Sequence, residues 1–337
     1  MESTPETTPL FSFDEPLDKL DDVLVSMLTV HSELGSADPA QERGETRGLD
    51  DDTWERLYAA ADRDGKQAEL LKLFDGLSVN KRVKALSTLA QAEAFLRAAH
   101  YGRRSGQDDN LVRKNLERAV QADSSVYSAW DALAEVMVAE RPRFLEMILA
   151  AATKRAEIKS PLFLRARHAL PEEGVPDPLR FKVLGPYVAE HPEDEAAFAD
   201  LDGALTRMGR FSDLAALREQ KLAAETDPAR RIPLIEALLD VYAERLRDAS
   251  KALGHAEALV ALDPNHPGAI ALLRRTSQQK PLAARAAEAL ALAANLRGDV
   301  GEEEQMYGVL LETVRGPKRK EILEKVYALK VNRGDGR

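Results

Sequence analysis

The stretch that decides the fold is His191-Pro-Glu-Asp-Glu-Ala-Ala-Phe198-Ala-Asp-Leu201-Asp-Gly-Ala-Leu205. A His-Pro turn bearing acids leads into apolar residues spaced by three and then four positions, the spacing of a single helix face. The same beat sounds elsewhere. Trp130 and Leu133 stand 68 positions before Phe198 and Leu201, which is two times 34. Ile270 and Leu273 repeat the pair, and Glu304 follows Ile270 by another 34 positions. A fixed period of this size marks a repeat array, and about 34 residues of helical character make one pair of helices.

Working outward, each unit is punctuated by turn residues. Asp50, Asp51 and Asp52 offer an N-cap and early acids to a first helix containing Trp54, Leu57, Tyr58 and Ala61. Gly65 breaks it, and Leu70, Leu71, Phe74 and Leu77 form the stripe of its partner. A long helix is predicted from Val83 to Tyr101, then a polar loop over 102–110 and a helix with Leu111, Leu116, Ala119 and Val120. Later units break at Arg141-Pro142, between Pro171 and Pro178, at Gly209-Arg210, at Lys280-Pro281 and at Gly298. Pro317 is placed to open the last helix. At about 34 residues per repeat, the stretch from 51 to 332 holds roughly eight units. The predicted fold is all-α, an α-solenoid in which stacked helix-turn-helix repeats wind as a right-handed superhelix. A single hairpin cannot bury its own apolar stripes, so neighbours must shield one another.

The ends read differently. Residues 1–16 are polar and proline-bearing and are predicted to be a disordered tail, and 333–337 form a short charged tail. Between them and the array, Leu17, Leu20, Leu24, Met27, Leu28 and Leu34 predict an amphipathic helix over 17–34, with acids at Asp18, Asp21 and Asp22. A flexible linker with Gly35, Pro39, Gly44 and Gly48 follows over 35–50. That helix has two open roles: it caps the first repeat, or it docks on another protein through Leu20, Leu24 and Met27.

Composition narrows the function. The chain has 337 residues and a formal charge of −10. An acidic balance disfavours general nucleic-acid binding, which depends on Lys and Arg at phosphates, and docking on anionic membranes. There is no cysteine, so disulfides and thiolate-held metals are excluded. The first residues are not a basic segment followed by an apolar core, and no apolar run approaches a membrane span, so the expected compartment is cytoplasmic.

The repeats resemble the tetratricopeptide family, whose pattern is W-x2-L-G-x2-Y, then A-x3-F, then proline near the repeat end. Trp54/Leu57, Trp130/Leu133, Phe198/Leu201, Ile235/Leu238 and Ile270/Leu273 carry the first element. Tyr242 keeps the aromatic, Ala134 the small residue, and Pro192, Pro228 and Pro264 the closing proline. Looser half-a-tetratricopeptide arrays of RNA-processing complexes share a related pattern. The resemblance implies a scaffold or adaptor that binds protein segments in a groove, with no enzymatic activity and no cofactor. An RNA-associated repeat protein, or a regulatory subunit of an enzyme on another chain, are the alternatives.

Members of that family that hold a terminal carboxylate line their first helices with Lys, Arg and Asn. Here those helices carry Asp52, Glu55 and Asp62 in the first unit and Asp131 and Glu135 in the third. Acids repel a carboxylate, so the expected partner bears a basic or amphipathic segment, with Glu55, Asp62, Asp131 and Glu135 as its contacts. The six histidines have no metal-ligand spacing, and His191 and His266 beside prolines read as turn residues. Asp62-Arg-Asp64-Gly65 lacks the third acid and distant Glu of a calcium loop. Arg297-Gly298-Asp299 reads as a helix end and Arg333-Gly334-Asp335 as a charged tail, while Pro317-Lys318-Arg319-Lys320 reads as a solvated helix start.

Overall fold

Side-chain caps open at least eight of the helices where turn residues stand. In the computed structural model, which describes residues 11–14, 16, 17, 19–36 and 49–332, the Asp50 carboxylate accepts the Thr53 amide at 2.9 Å and starts α2 (Asp51–Arg63). Residues 1–10, most of the predicted linker and 333–337, with Arg333-Gly334-Asp335, lie outside the described residues. All regular structure among the described residues is helical. It falls into two compact units, residues 1–201 and 202–337.

Unit 1 begins with α1 (Leu20–Ser36), then α2, α3 (Gln67–Asp75), the short α4 (Lys81–Lys84), α5 (Thr88–Arg104) and α6 (Asp109–Ala122). It continues with α7 (Tyr127–Val136), α8 (Arg141–Ala152), α9 (Lys159–His168), α10 (Asp177–Glu190) and the start of α11 (Glu195–Arg207). Successive helices pack on each other, α5 on α6, α6 on α7, α8 on α9 and α9 on α10. Helices two places apart also touch, α7 with α9 and α8 with α10. That short-range pattern is what stacked hairpins produce, because each pair hides its apolar stripes only against its sequence neighbours. Trp130 meets Phe144 edge-on at 6.1 Å inside the α7/α8 hairpin, and Tyr101 joins Tyr58 at 4.8 Å and Phe74 at 5.8 Å.

Unit 2 follows the same rule with α12 (Phe211–Ala224), α13 (Pro228–Asp240), α14 (Ala249–Leu262), α15 (Pro267–Ser277), α16 (Ala283–Arg297), α17 (Val300–Thr313) and α18 (Gly316–Asn332). Here α13 packs on α14, α14 on α15 and α16, and α16 on α17. The fold is therefore tetratricopeptide-like: the apolar pairs led by Trp54, Trp130, Phe198, Ile235 and Ile270 all sit on first helices of hairpins, and Leu57, Leu133, Leu201, Leu238 and Leu273 are buried there.

Several expectations change in detail. The long helix predicted over 83–101 is two helices, because Ser87 caps a fresh start by accepting the Ala90 amide at 3.2 Å. Pro228 does not close a repeat but occupies the first turn of α13, where its missing N–H costs nothing. His266 is more than a turn residue: its Nδ1 accepts the Ala269 amide at 3.2 Å, and its Nε2 faces Glu236 of α13. Part of the predicted tail, Phe11–Asp14, lies against α2, with Phe13 buried. No helix among the described residues is long and apolar enough to cross a membrane.

Candidate functional site

The first helices α2 and α7 carry the four acids expected to face a partner, Glu55 and Asp62 on α2 and Asp131 and Glu135 on α7. Each of them meets an arginine from the neighbouring repeat. Arg104 of α5 reaches Glu55 and, at 3.3 Å, Asp62 of α2. Arg103 of α5 meets Glu135 of α7 at 2.9 Å, and Arg165 of α9 meets Asp131 of α7 at 3.0 Å. Asp131 and Arg165 are 34 positions apart, one repeat, so the pair links equivalent helices of adjacent hairpins. Arg165 also stacks over the Tyr127 ring at 4.5 Å. Burial and the Asp62 carboxylate push the Tyr101 hydroxyl up to about 12, so it remains a donor to Asp62 at 3.3 Å.

This face is a ladder of alternating charge, not an acidic groove. The acids stay accessible, Asp131 at 57% and Glu135 at 64% side-chain exposure, yet each already has a counter-charge. Exposed pairs of this kind are worth about 0–1 kcal/mol each. Their effect is that none of these four acids presents an unmatched charge. Sequence reasoning found the acids and missed the arginines; the one-repeat spacing of Asp131 and Arg165 was the available signal.

Between α5, α6 and α7 lies a groove of about 270 Å³. Ala99, Val112, Leu116 and Ala132 supply its apolar wall, and Arg103 and Glu135 stand on its rim. In unit 2 a second hollow of about 720 Å³ is lined by α14, α16, α17 and α18, with Val260, Leu292 and Leu329 beside the polar trio Asn295, Glu303 and Tyr307. Glu303 is buried and accepts from Asn295 Nδ2 at 3.2 Å and from the Tyr307 hydroxyl at 3.0 Å.

The apolar residues named on α1 have a different fate. Leu20, Leu24 and Met27 are at most 1% exposed and pack inside unit 1, where α1 meets α3 and α5. Arg82 clamps the first turn of α1 through Asp21 and Asp22, both at 2.7 Å. At the other end the buried His31 accepts the Leu49 amide on Nδ1 at 3.1 Å, which leaves its proton on Nε2, 3.7 Å from the buried Glu93. Arg82, Glu93 and Arg97 were not singled out from the sequence. Nothing in linear spacing marks Arg82, which lies 61 and 60 positions from Asp21 and Asp22. Glu93 and Arg97 stand four apart on α5, a spacing that pairs them without revealing their burial.

Among the described residues no cluster of three or more His, Asp or Glu side chains is placed to hold a metal ion. No protein-family model matches the chain, and no curated protein matches it. Solved structures similar to it include Naa15/Naa10 bound to HypK-THB, at 15% identity and TM-score 0.29, covering 94% of this chain and 44% of that one. Another is the APC/C hetero-tetramer Cut9-Hcn1, at 13% identity and TM-score 0.23, covering 92% of this chain and 53% of that one. The yeast Tom70 structure matches at 14% identity and TM-score 0.25, over 94% of this chain and 72% of that one. The chain thus spans about half the length of the first two. At such scores these likenesses carry no argument about function, and the fold rests on the packing of its hairpins.

Proposed function

We propose that the chain is a non-enzymatic interaction scaffold that holds an amphipathic segment of a partner protein against the first-helix face of unit 1. The observation that supports it is the groove between α5, α6 and α7, an apolar hollow rimmed by the Arg103–Glu135 pair. A hollow of this kind takes one apolar side chain, while a charged pair at its rim can exchange one internal contact for one to a ligand. Because Glu55, Asp62, Asp131 and Glu135 are already matched by arginines, a partner with mixed polar and apolar character suits the face better than a purely basic one. The same matching leaves Arg103, Arg104 and Arg165 poorly disposed to bind a run of phosphates.

The test is selection of peptides on the full chain by display, followed by binding to wild type and to Ala132→Trp, whose indole fills the groove. Selected peptides should lose at least tenfold in affinity while the far-UV spectrum is unchanged. Peptides that bind both chains alike, or a selection that enriches none, would sink the reading.

A further inference from the structure

Residues 11–14, 16 and 17 run without helical structure beside α2, and side chains of α2 and the turn after it grip their backbone. Arg56 Nη2 donates to the Phe11 carbonyl at 3.4 Å and Arg63 Nη1 to the Phe13 carbonyl at 2.9 Å. Lys66 Nζ donates to the Leu17 carbonyl, and the Leu17 amide donates to Asp64 Oδ2 at 3.0 Å. Two side chains anchor the strap: Phe13 and Leu17, each 5% exposed. The Phe13 ring lies 5.7 Å from the Arg56 guanidinium and 6.3 Å from the Phe11 ring.

A chain outside helix and sheet has no partners of its own for its amides and carbonyls, so something else must supply them. Backbone bonds that give affinity, with pockets for spaced side chains that give selectivity, are how proteins hold peptide ligands. Arg56 and Arg63 are seven positions apart and so lie along one line of α2, one residue or about 100° round from the line of Glu55 and Asp62. The strap site is therefore distinct from the charge ladder and the groove, and it does not depend on the function proposed for them.

We propose that this line of α2, completed by Asp64 and Lys66, is a second binding site, which the chain's own strap occupies in cis. Its ligand class is an extended peptide with an aromatic and an aliphatic anchor four positions apart. A partner segment of the same chemistry competes with the strap. Tethering gives the strap an effective concentration on the order of 1 mM, so a free peptide with an intrinsic Kd of about 10 µM binds the intact chain roughly 100-fold more weakly than a chain whose strap is released.

The probe is a fluorescent peptide of residues 9–19, titrated by anisotropy against the full chain and against the full chain carrying Phe13→Asp and Leu17→Asp. The released chain should bind it at least tenfold more tightly than wild type, and adding Arg63→Ala with Lys66→Ala should remove that gain. Equal binding to both chains, binding to neither, or binding indifferent to Arg63 and Lys66 overturns the proposal. Should the released chain fail to fold, hydrogen exchange on the chain with only Arg63→Ala and Lys66→Ala decides. Exchange at the Leu17 amide should rise at least tenfold with α5 still protected, and unchanged exchange overturns the proposal. Ala132→Trp, which tests the groove, should leave peptide binding here unaltered, so the two readings fail separately.

Discussion

Replacing Arg97 by Met tests whether the buried charges under α1 form one unit. The Arg97 and Glu93 side chains are 8% and 4% exposed, and Arg97 Nε meets Glu93 Oε1 at 2.5 Å. Arg97 Nη2 reaches Asp51 at 2.6 Å, and its guanidinium lies 5.2 Å from the Trp54 ring. Methionine keeps the apolar stem and removes the charge, leaving the Glu93 carboxylate buried with the imidazoles of His31 and His100 as its nearest sources of positive charge. Breaking one side of such a pair costs about 3–5 kcal/mol, because the stranded charge cannot recover its water. The further substitution Glu93→Leu should restore most of that loss.

The cost should depend on pH with a definite sign. Burial holds the His31 imidazole below its ordinary range; Glu93 opposes this, and Arg97 adds to it. In the wild type the unfolded chain therefore binds more protons than the folded one below about pH 6.5, and stability falls as pH drops from there. Without Arg97 the remaining Glu93 charge favours protonation of His31, at the expense of the Leu49 amide bond to its Nδ1, and of His100, so acid supplies a cation to the stranded carboxylate. The penalty of Arg97→Met is then largest near pH 8 and shrinks toward pH 5.5. Urea unfolding followed by tryptophan fluorescence reads this directly, since both tryptophans, Trp54 and Trp130, belong to unit 1. A loss under about 1 kcal/mol at pH 8, or one that does not change with pH, would refute the reasoning.

Two further outcomes follow. Leu24→Ala, at a side chain with no exposure, should destabilise unit 1 by about 2–5 kcal/mol in the same fluorescence assay. A loss under about 1 kcal/mol would mean that α1 is not part of the core. In unit 2, Gly298 ends α16 with φ of +73° and open space around it, so Gly298→Ala should cost about 1–2 kcal/mol from backbone strain alone, measured by circular dichroism during thermal unfolding. No change in Tm would refute that assignment of strain.

The hairpins were legible in the chain. Trp130 with Leu133 and Phe198 with Leu201 recur at a fixed interval because a helix returns to its buried face every three or four residues and a stacked pair returns to its neighbour once per repeat. Asp50, Gly65 and Gly298 mark ends through backbone chemistry that acts within a few residues. Such signals are local, and a linear record preserves them. The break at Ser87 was harder, since a serine between apolar stretches can sit inside a helix or cap one, and the packing of α4 and α5 decides between the two.

Charge was legible only by sign. Glu55, Asp62, Asp131 and Glu135 stood out as acids, but the arginines that neutralise them come from helices up to 49 positions away. Whether two such side chains meet depends on the rotation and offset of packed helices, which the order of residues does not state. The burial of Leu20, Leu24 and Met27 within the chain, and the grip of Arg63 and Lys66 on the strap, are of the same kind. Sequence by itself determined that paired helices must stack, because their apolar stripes have nowhere else to go. Tertiary structure alone decided which surfaces remain free, because that depends on distances between residues far apart in the chain.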